Sequence, residues 1–324
     1  MQVVMDGGAV PADVKGGALA IGNFDGVHRG HQALLTAARQ HARAMGNAAA
    51  GVMVFEPHPR EFFQPDEPHF RLTPLPLKLR RFDELGLDFV VVKTFDAGLA
   101  AMSATDFIAR AIAAALAPCH VVIGYDFFFG KGRSGNPQTM QAGGREHGFG
   151  VTVVEPVAEA GEVFSSTAIR LKLAQGDIRH ANAALGTHWA VVGTVVGGAR
   201  RGTGLGFPTA NIALDRGTAL AHGIYAVWVL TGGSRHEGAA YLGTRPTFDD
   251  GAPMLEVFLL DFDGDLYGRE IEVEFVDFIR ADRRFEDIDA LKAQMAADCD
   301  AARRALARDP QAGWQARDLE KSRE

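Results

Sequence analysis

Two histidines, His28 and His31, stand among three glycines in the segment GNFDGVHRGHQ, residues 22–32. Gly22, Gly26 and Gly30 let a backbone pass close to a phosphate, and a helix opening here offers free N–H groups to an anion. If that helix starts between the histidines, both imidazoles converge on one point. They can then donate hydrogen bonds to oxygens that gain charge during displacement at phosphorus. A histidine pair also suits a metal, but no third Cys, Asp or His with ligand spacing lies nearby. Gly-x-Gly-x-x-Gly is absent, so the segment is not a dinucleotide fingerprint. A structural histidine in a helix turn stays open as the ordinary alternative.

Two later segments carry compatible chemistry. GYDFFFGKGRSGN, residues 124–136, gathers Asp126, Phe127, Phe128, Phe129, Lys131 and Arg133 after a strand. It is no P-loop: the glycine spacing is one residue too long and no Ser or Thr follows Lys131. The phenylalanines read either as core or as walls for an aromatic ligand. FSSTAIR, residues 164–170, sets three hydroxyls before a helix and Arg170 within it. A helix cap is one reading; a phosphate clamp, with the guanidinium holding oxygens in a fixed fork, is the stronger one.

A second candidate site lies further on. GTGLGFPTANI, residues 202–212, is Gly-rich and then stiffened by Pro208. Thr209 and Asn211 offer hard oxygens suited to Mg²⁺ on a nucleotide phosphate. Arg200 and Arg201 precede it. Glu256 stands in MLEVFLLDF, where a carboxylate is costly without a partner or a task. If Leu255, Val257 and Leu259 face a core, Glu256 faces away from it, as a surface charge or as the acceptor of a proton from an attacking hydroxyl.

These residues need a scaffold. The first half alternates short apolar runs (17–22, 48–59, 88–95, 119–124, 150–157) with helical stretches at 31–46 and 103–116, which predicts an α/β domain on a mostly parallel sheet. Gly46 is expected to close the first of these helices, and Ser103 with Asp106 to open the second. Such sheets bind ligands at their carboxyl ends. The second half is strand after strand, separated by Gly, Asp and Asn turns, which predicts a small antiparallel barrel. A final helix from about Glu286 to Arg308 offers Ile288, Leu291, Met295 and Leu306 to one face. The expected domains are 1–186 and 187–324. No apolar run approaches the roughly 20 residues of a membrane span, and the start does not read as a signal peptide. Two distant cysteines, Cys119 and Cys299, fit a reducing, cytoplasmic setting. The net charge of −7, from 33 basic and 40 acidic residues, argues against broad nucleic-acid binding.

The pattern His-x-Gly-His after a strand is the signature of the nucleotidylyltransferase superfamily, and HRGH fits it. More widely, the chain resembles the bifunctional bacterial riboflavin kinase/FMN adenylyltransferase family from about residue 15 to 307. The likeness rests on IGNFDGVHRGHQALL, FEPHPREFF, VVIGYDFFFGKGRSGN and FSSTAIR, then on GLGFPTANI, GIYAV, GTRPTF, LEVFLLDFDGDLYG and FIRADRRFEDIDALKAQMAAD, in that order. It implies a Rossmann-like nucleotidylyltransferase domain followed by a riboflavin-kinase barrel. ATP, riboflavin, FMN and FAD are then substrates and products, Mg²⁺ accompanies ATP, and neither nucleic acid nor membrane is a partner. Self-association stays open. His28, His31 and Arg170 look like the phosphate-handling residues of adenylyl transfer, and Glu256 like the kinase base. Gly22, Asn23, Phe24, Asp25, Gly124, Asp126, Phe127, Gly130, Arg133, Ser165, Ser166 and Thr167 look like nucleotide or flavin contacts. In the kinase half, Gly202, Gly206 and Pro208 match the ATP loop, Thr209 and Asn211 the metal residues, and Arg280 and Phe285 the flavin side. Gly198, Thr203 and Phe258 depart from common family choices. The rival readings are a chain with one active site, a flavin-binding regulator, and a cytidylyltransferase or pantetheine-type adenylyltransferase. The barrel half speaks against the last.

Overall fold

The computed structural model describes residues 1–159, 161–197, 209–243 and 253–310. The chain forms two compact units. One holds Met1–Pro68 and Thr73–Ser166; the other holds His69–Leu72 and the chain from Thr167 onward.

The first unit contains β1 (Gln2–Met5), β2 (Ala18–Ile21), α1 (Arg29–Ala44), β3 (Ala50–Glu56), α2 (Pro59–Phe63), α3 (Leu75–Glu84), β4 (Phe89–Thr94), α4 (Ala97–Ala101), α5 (Ala104–Asp106), β5 (His120–Gly124), α6 (Pro137–His147) and β6 (Gly150–Val154). A short hairpin, β7 (Ala158–Glu159) and β8 (Glu162–Val163), follows. The sheet order is β1-β4-β3-β2-β5-β6, and every pair is parallel. Its strands are apolar throughout because both faces are covered. Leu19, Ile21, Met53 and Ile123 pack on one side with Phe107, Ile108 and Met140. Their neighbours Ala18, Ala20, Val52 and Val122 pack on the other with Leu35, Ala38 and Phe82. The chain leaves β2 towards β3 on one side and reaches β5 on the other, so strand order reverses between β2 and β5. In open α/β sheets that reversal opens a crevice at the carboxyl ends.

Local detail extends the sequence reading at three places. Helix α1 starts at Arg29 with His28 as its cap, and ends at Ala44 before Gly46 takes a φ of 78°. Ser103 caps α5, accepting from the Asp106 N–H, but the chain then widens into a π-helix over Phe107–Ala114. Strand β1, whose Val3 and Met5 are exposed, is an addition at the sheet edge.

The second unit contains α7 (Ser166–Ala174), α8 (Ile178–Leu185), β9 (Trp189–Thr194), β10 (Ala210–Ala213), β11 (Gly223–Thr231), β12 (Ser234–Gly243), β13 (Met254–Leu259), β14 (Glu270–Ala281) and α9 (Ile288–Leu306). Helices α7 and α8 pack here: the Phe278 ring lies over Gly176, and the Asn182 amide donates to the Phe275 carbonyl. The sequence reading sets its limit after them, at 186. The sheet order is β10-β13-β12-β11-β14-β9, all antiparallel, and a bridge between Val196 and Asn211 brings its two ends together as a nearly closed barrel. Gly232 and Gly233, with φ of 56° and 78°, make the two-residue turn between β11 and β12, where two positive φ values suit the strand twist. Helix α9 is capped by Asp287 and buries Asp298, Ala302 and Leu306, the last two against Ala226, Trp228 and Leu230. Ile288, expected on that face, is 62% exposed. The burial phase follows Asp298, Ala302 and Leu306, each four residues apart, and leaves the first turn outside.

Candidate functional sites

The loop from β2 to α1 is strained and pinned. Phe24, Gly26 and Val27 have φ of 49°, 91° and 44°. Positive φ costs on the order of 1–3 kcal/mol at a non-glycine residue and persists only where packing over-determines it. Here Phe24 and Val27 are buried in the core beneath α1. The Asp25 carboxylate accepts from the Thr73 N–H at 3.0 Å, and the Ser166 hydroxyl donates to the Asp25 carbonyl at 2.8 Å.

This loop delivers the two histidines as a pair. Nδ1 of His28 accepts the His31 N–H at 3.3 Å, and the rings stack with centroids 3.6 Å apart. Gly30 leaves room between them, since a Cβ there would stand 3.0 Å from His28 Nδ1 and 3.3 Å from the Phe164 carbonyl, tighter than an ordinary contact. Phe24 packs on His31 from behind at 5.1 Å. Burial pushes His28 down to about 4, against the pull of Asp25. Burial also holds His31 well below its usual range, helped by His28 and Lys78. Both rings are therefore neutral at pH 7, each with one N–H donor. His28 accepts at Nδ1, so its proton sits on Nε2. Nδ1 of His31 is sealed from solvent and has no hydrogen-bond partner among the described residues. No trio of His, Cys, Asp or Glu among those residues is placed to hold a metal.

The loop after β5 meets the same crevice, because β5 is the strand beside β2. A Cβ on Gly124 would stand 3.0 Å from the Asp126 carboxylate, and Asp126 itself is exposed. The three phenylalanines divide. Phe129 is core, Phe127 is half-buried and stacked on it at 5.3 Å, and Phe128 is exposed under the Arg133 guanidinium at 5.0 Å. Gly130 has φ 70° and lies against the Ala104 backbone, where a Cβ would meet the amide nitrogen at 2.7 Å. Ser165 and Ser166 are half-buried and Thr167 is exposed. Arg170, expected to face a phosphate, donates from Nε to the Phe70 carbonyl at 2.6 Å and reaches His69 at 3.4 Å.

In the barrel, register assembles what the sequence scatters. Asn211 on β10 faces Glu256 on β13; Glu256 faces Tyr241 on β12; Tyr241 faces Ile224 on β11; Ile224 faces Arg280 on β14. Residues opposite one another point to the same side of a sheet with Cβ atoms about 5 Å apart, so these five form one transverse row. Leu255, Val257 and Leu259 are buried and Glu256 is half-buried, the expected alternation. Asn211 is 5% exposed; its Nδ2 donates to the Thr209 carbonyl at 3.3 Å, while its Oδ1 is buried with no partner among the described residues. At the far end of the row, Arg280 grips Asp298 of α9 at 2.6 and 2.9 Å, and its guanidinium lies 5.7 Å from the Phe285 ring, with Arg283 at 4.8 Å from the same ring. The Tyr241 hydroxyl donates to Asp282 at 3.1 Å. Gly198, Arg200, Arg201, Gly202, Thr203, Gly206, Pro208 and the GTRPTF residues 244–248 lie outside the described residues.

Two residues at these sites were not singled out by sequence reasoning. Lys78 is buried beside His31, and a lysine in an amphipathic helix ordinarily reads as surface. Tyr241 joins the row only through strand register. Among the described residues, no helix is long and apolar enough to cross a membrane.

Comparison with known proteins identifies the family. The FAD synthetase family model matches residues 10–168, and the riboflavin kinase model matches residues 185–306. A solved structure from Streptococcus pneumoniae, described as a macrolide-efflux protein, shares the fold with a TM-score of 0.80 and 28% identity over 94% of this chain and 99% of that one. The bifunctional riboflavin kinase/FMN adenylyltransferase of Pseudomonas fluorescens is 39% identical over 94% of this chain and 97% of its own length. That of Escherichia coli (strain K12) is 43% identical over 89% of this chain and 92% of its own. The chain therefore belongs to the bifunctional riboflavin kinase/FMN adenylyltransferase family.

Proposed function

We propose that the second unit transfers the γ-phosphoryl group of ATP to riboflavin, giving FMN and ADP, and that the first transfers the adenylyl group of ATP to FMN, giving FAD and pyrophosphate. The observation that carries the second step is the neutral, stacked pair of His28 and His31 at the start of α1, beside the strand reversal. In adenylyl transfer the FMN phosphate attacks the α-phosphorus. It is already anionic, so no base is needed. Positioning and charge stabilisation supply the rate: the His28 and His31 N–H groups, the α1 N-terminus, and the hydroxyls of Ser165 and Ser166, while Thr167 and Arg170 are carried over from the family resemblance alone. Backbone at Gly22, Asn23, Phe24 and Asp25, and the loop of Gly124, Asp126, Phe127, Gly130 and Arg133, bind nucleotide or flavin. The Phe24 ring is wholly buried, which leaves its backbone for that task.

In the kinase step Glu256 accepts the proton of the riboflavin 5′-hydroxyl as that oxygen attacks the γ-phosphorus. The loop of Gly202, Gly206 and Pro208 carries ATP, and Arg280 and Phe285 steady the flavin side. The orphaned Oδ1 of Asn211, with the Thr209 hydroxyl, suits Mg²⁺, which prefers hard oxygen ligands. When bound, the ion neutralises charge on the phosphates. The substrates and the two cysteines, not joined in a disulfide, fit a cytoplasmic enzyme.

Two substitutions test the assignment. His28→Ala is expected to abolish FAD formation and spare FMN formation. Glu256→Gln is expected to lower FMN formation by about 10²–10⁴-fold while supplied FMN is still adenylylated. Loss of both reactions in either folded variant would refute two independent sites.

A further inference from the structure

Lys78 stands on α3 with only 2% of its side chain exposed. An ammonium in a protein interior is costly unless it is paired. Its Nζ donates to the Asn23 carbonyl at 3.0 Å and lies 3.5 Å from the Glu56 carboxylate. Asn23 opens the loop that leads to His28, and Glu56 ends β3, the strand paired with β2. One cation thus ties together the carboxyl ends of two neighbouring strands beneath the histidine pair. An apolar side chain of similar length would pack as well or better. What only a fixed cation adds is a hydrogen bond to the strained loop and a positive charge beside a site that handles a triphosphate.

We propose that Lys78 is a positioning residue of adenylyl transfer, holding the Asn23 carbonyl, and through it the His28–His31 pair, in working geometry. This rests on the reading of that pair given above. The groups around His31 are the stacked His28 ring, the Phe24 ring behind it and Lys78 from α3, with Asp25 acting on His28.

The test uses the full chain with Lys78→Met, and with Lys78→Met combined with Glu56→Gln so that the facing negative charge is removed together with the cation. FAD formation from supplied FMN is expected to lose at least about 10-fold in kcat, the order expected when reacting groups shift by part of an ångström. KM for ATP should change by less than about 3-fold, marking lost alignment rather than lost binding. FMN formation should be unchanged. In a histidine proton-exchange titration by NMR, the His31 midpoint should move upward once the neighbouring charge is gone. A folded double variant that keeps kcat within about 2-fold, or loses rate while His31 titrates as before, overturns the positioning role. His28→Ala run alongside separates the two claims: if it still makes FAD, the reading of the site itself fails.

Discussion

Replacing Gly30 by Ala separates stability from catalysis in the first unit. Gly30 is the second residue of α1, where alanine is the better helix former by up to about 1 kcal/mol. The added Cβ would meet His28 Nδ1 at 3.0 Å, His28 Cε1 at 3.1 Å and the Phe164 carbonyl at 3.3 Å, so the His28 ring must give way by a few tenths of an ångström. The cap it makes to the His31 N–H is already long at 3.3 Å, and losing a cap costs about 1 kcal/mol. The two stability terms nearly cancel, so the melting temperature should hold within a few degrees. The rate should not. A misplacement near 1 Å costs about 10²-fold, so a few tenths predicts a loss of roughly 3- to 10-fold in FAD formation. The assay is FAD production from supplied FMN, with riboflavin phosphorylation measured on the same sample. FAD formation at the unaltered rate, or an equal fall in both reactions, would refute the claim that Gly30 exists to admit the His28 ring.

Two further outcomes follow from the same geometry. Burial depresses His28 to about 4, and burial with the stacked His41 does the same to His120. Each takes up a proton on unfolding once the pH is below the free value of about 6.5. Stability is therefore full above that pH and is lost as pH falls towards about 4, at up to about 1.4 kcal/mol per pH unit for the buried His28. Thermal melts at pH 7.5, 6 and 5 should show this, His28→Asn should flatten the slope, and an unchanged slope would remove His28 from the explanation. Asn211→Ala should raise the Mg²⁺ concentration that half-saturates FMN formation by roughly 10-fold, the scale of one lost ligand interaction. It should leave the Mg²⁺ dependence of FAD formation alone; a shift in both would argue for a metal role elsewhere.

The parts legible in the sequence are those set by local physics. Strands β2 to β6 read as apolar runs because the sheet is covered on both faces, and His28 and His31 read as a pair because a helix start brings residues three apart together. Strand β1 was missed because four residues at a half-exposed edge carry little pattern. The π-helical stretch was missed because Phe107, Ile108, Ala111 and Ile112 bury as they would in an α-helix. Ile288 lies off the buried face of α9, which carries Asp298 and its pair with Arg280, a contact between distant elements. The same is true of the transverse row from Asn211 to Arg280, which exists only once five strands take their register. Lys78 is the sharpest case: composition and periodicity both send a lysine outward, and only packing shows it inside.

The central claim is that one chain performs both transfers in succession, and a time course on the purified protein with riboflavin, ATP and Mg²⁺, its flavins separated by chromatography, tests it most directly. The account predicts FMN first and FAD after it, whereas FMN with no FAD, or no conversion of either riboflavin or supplied FMN, would contradict it.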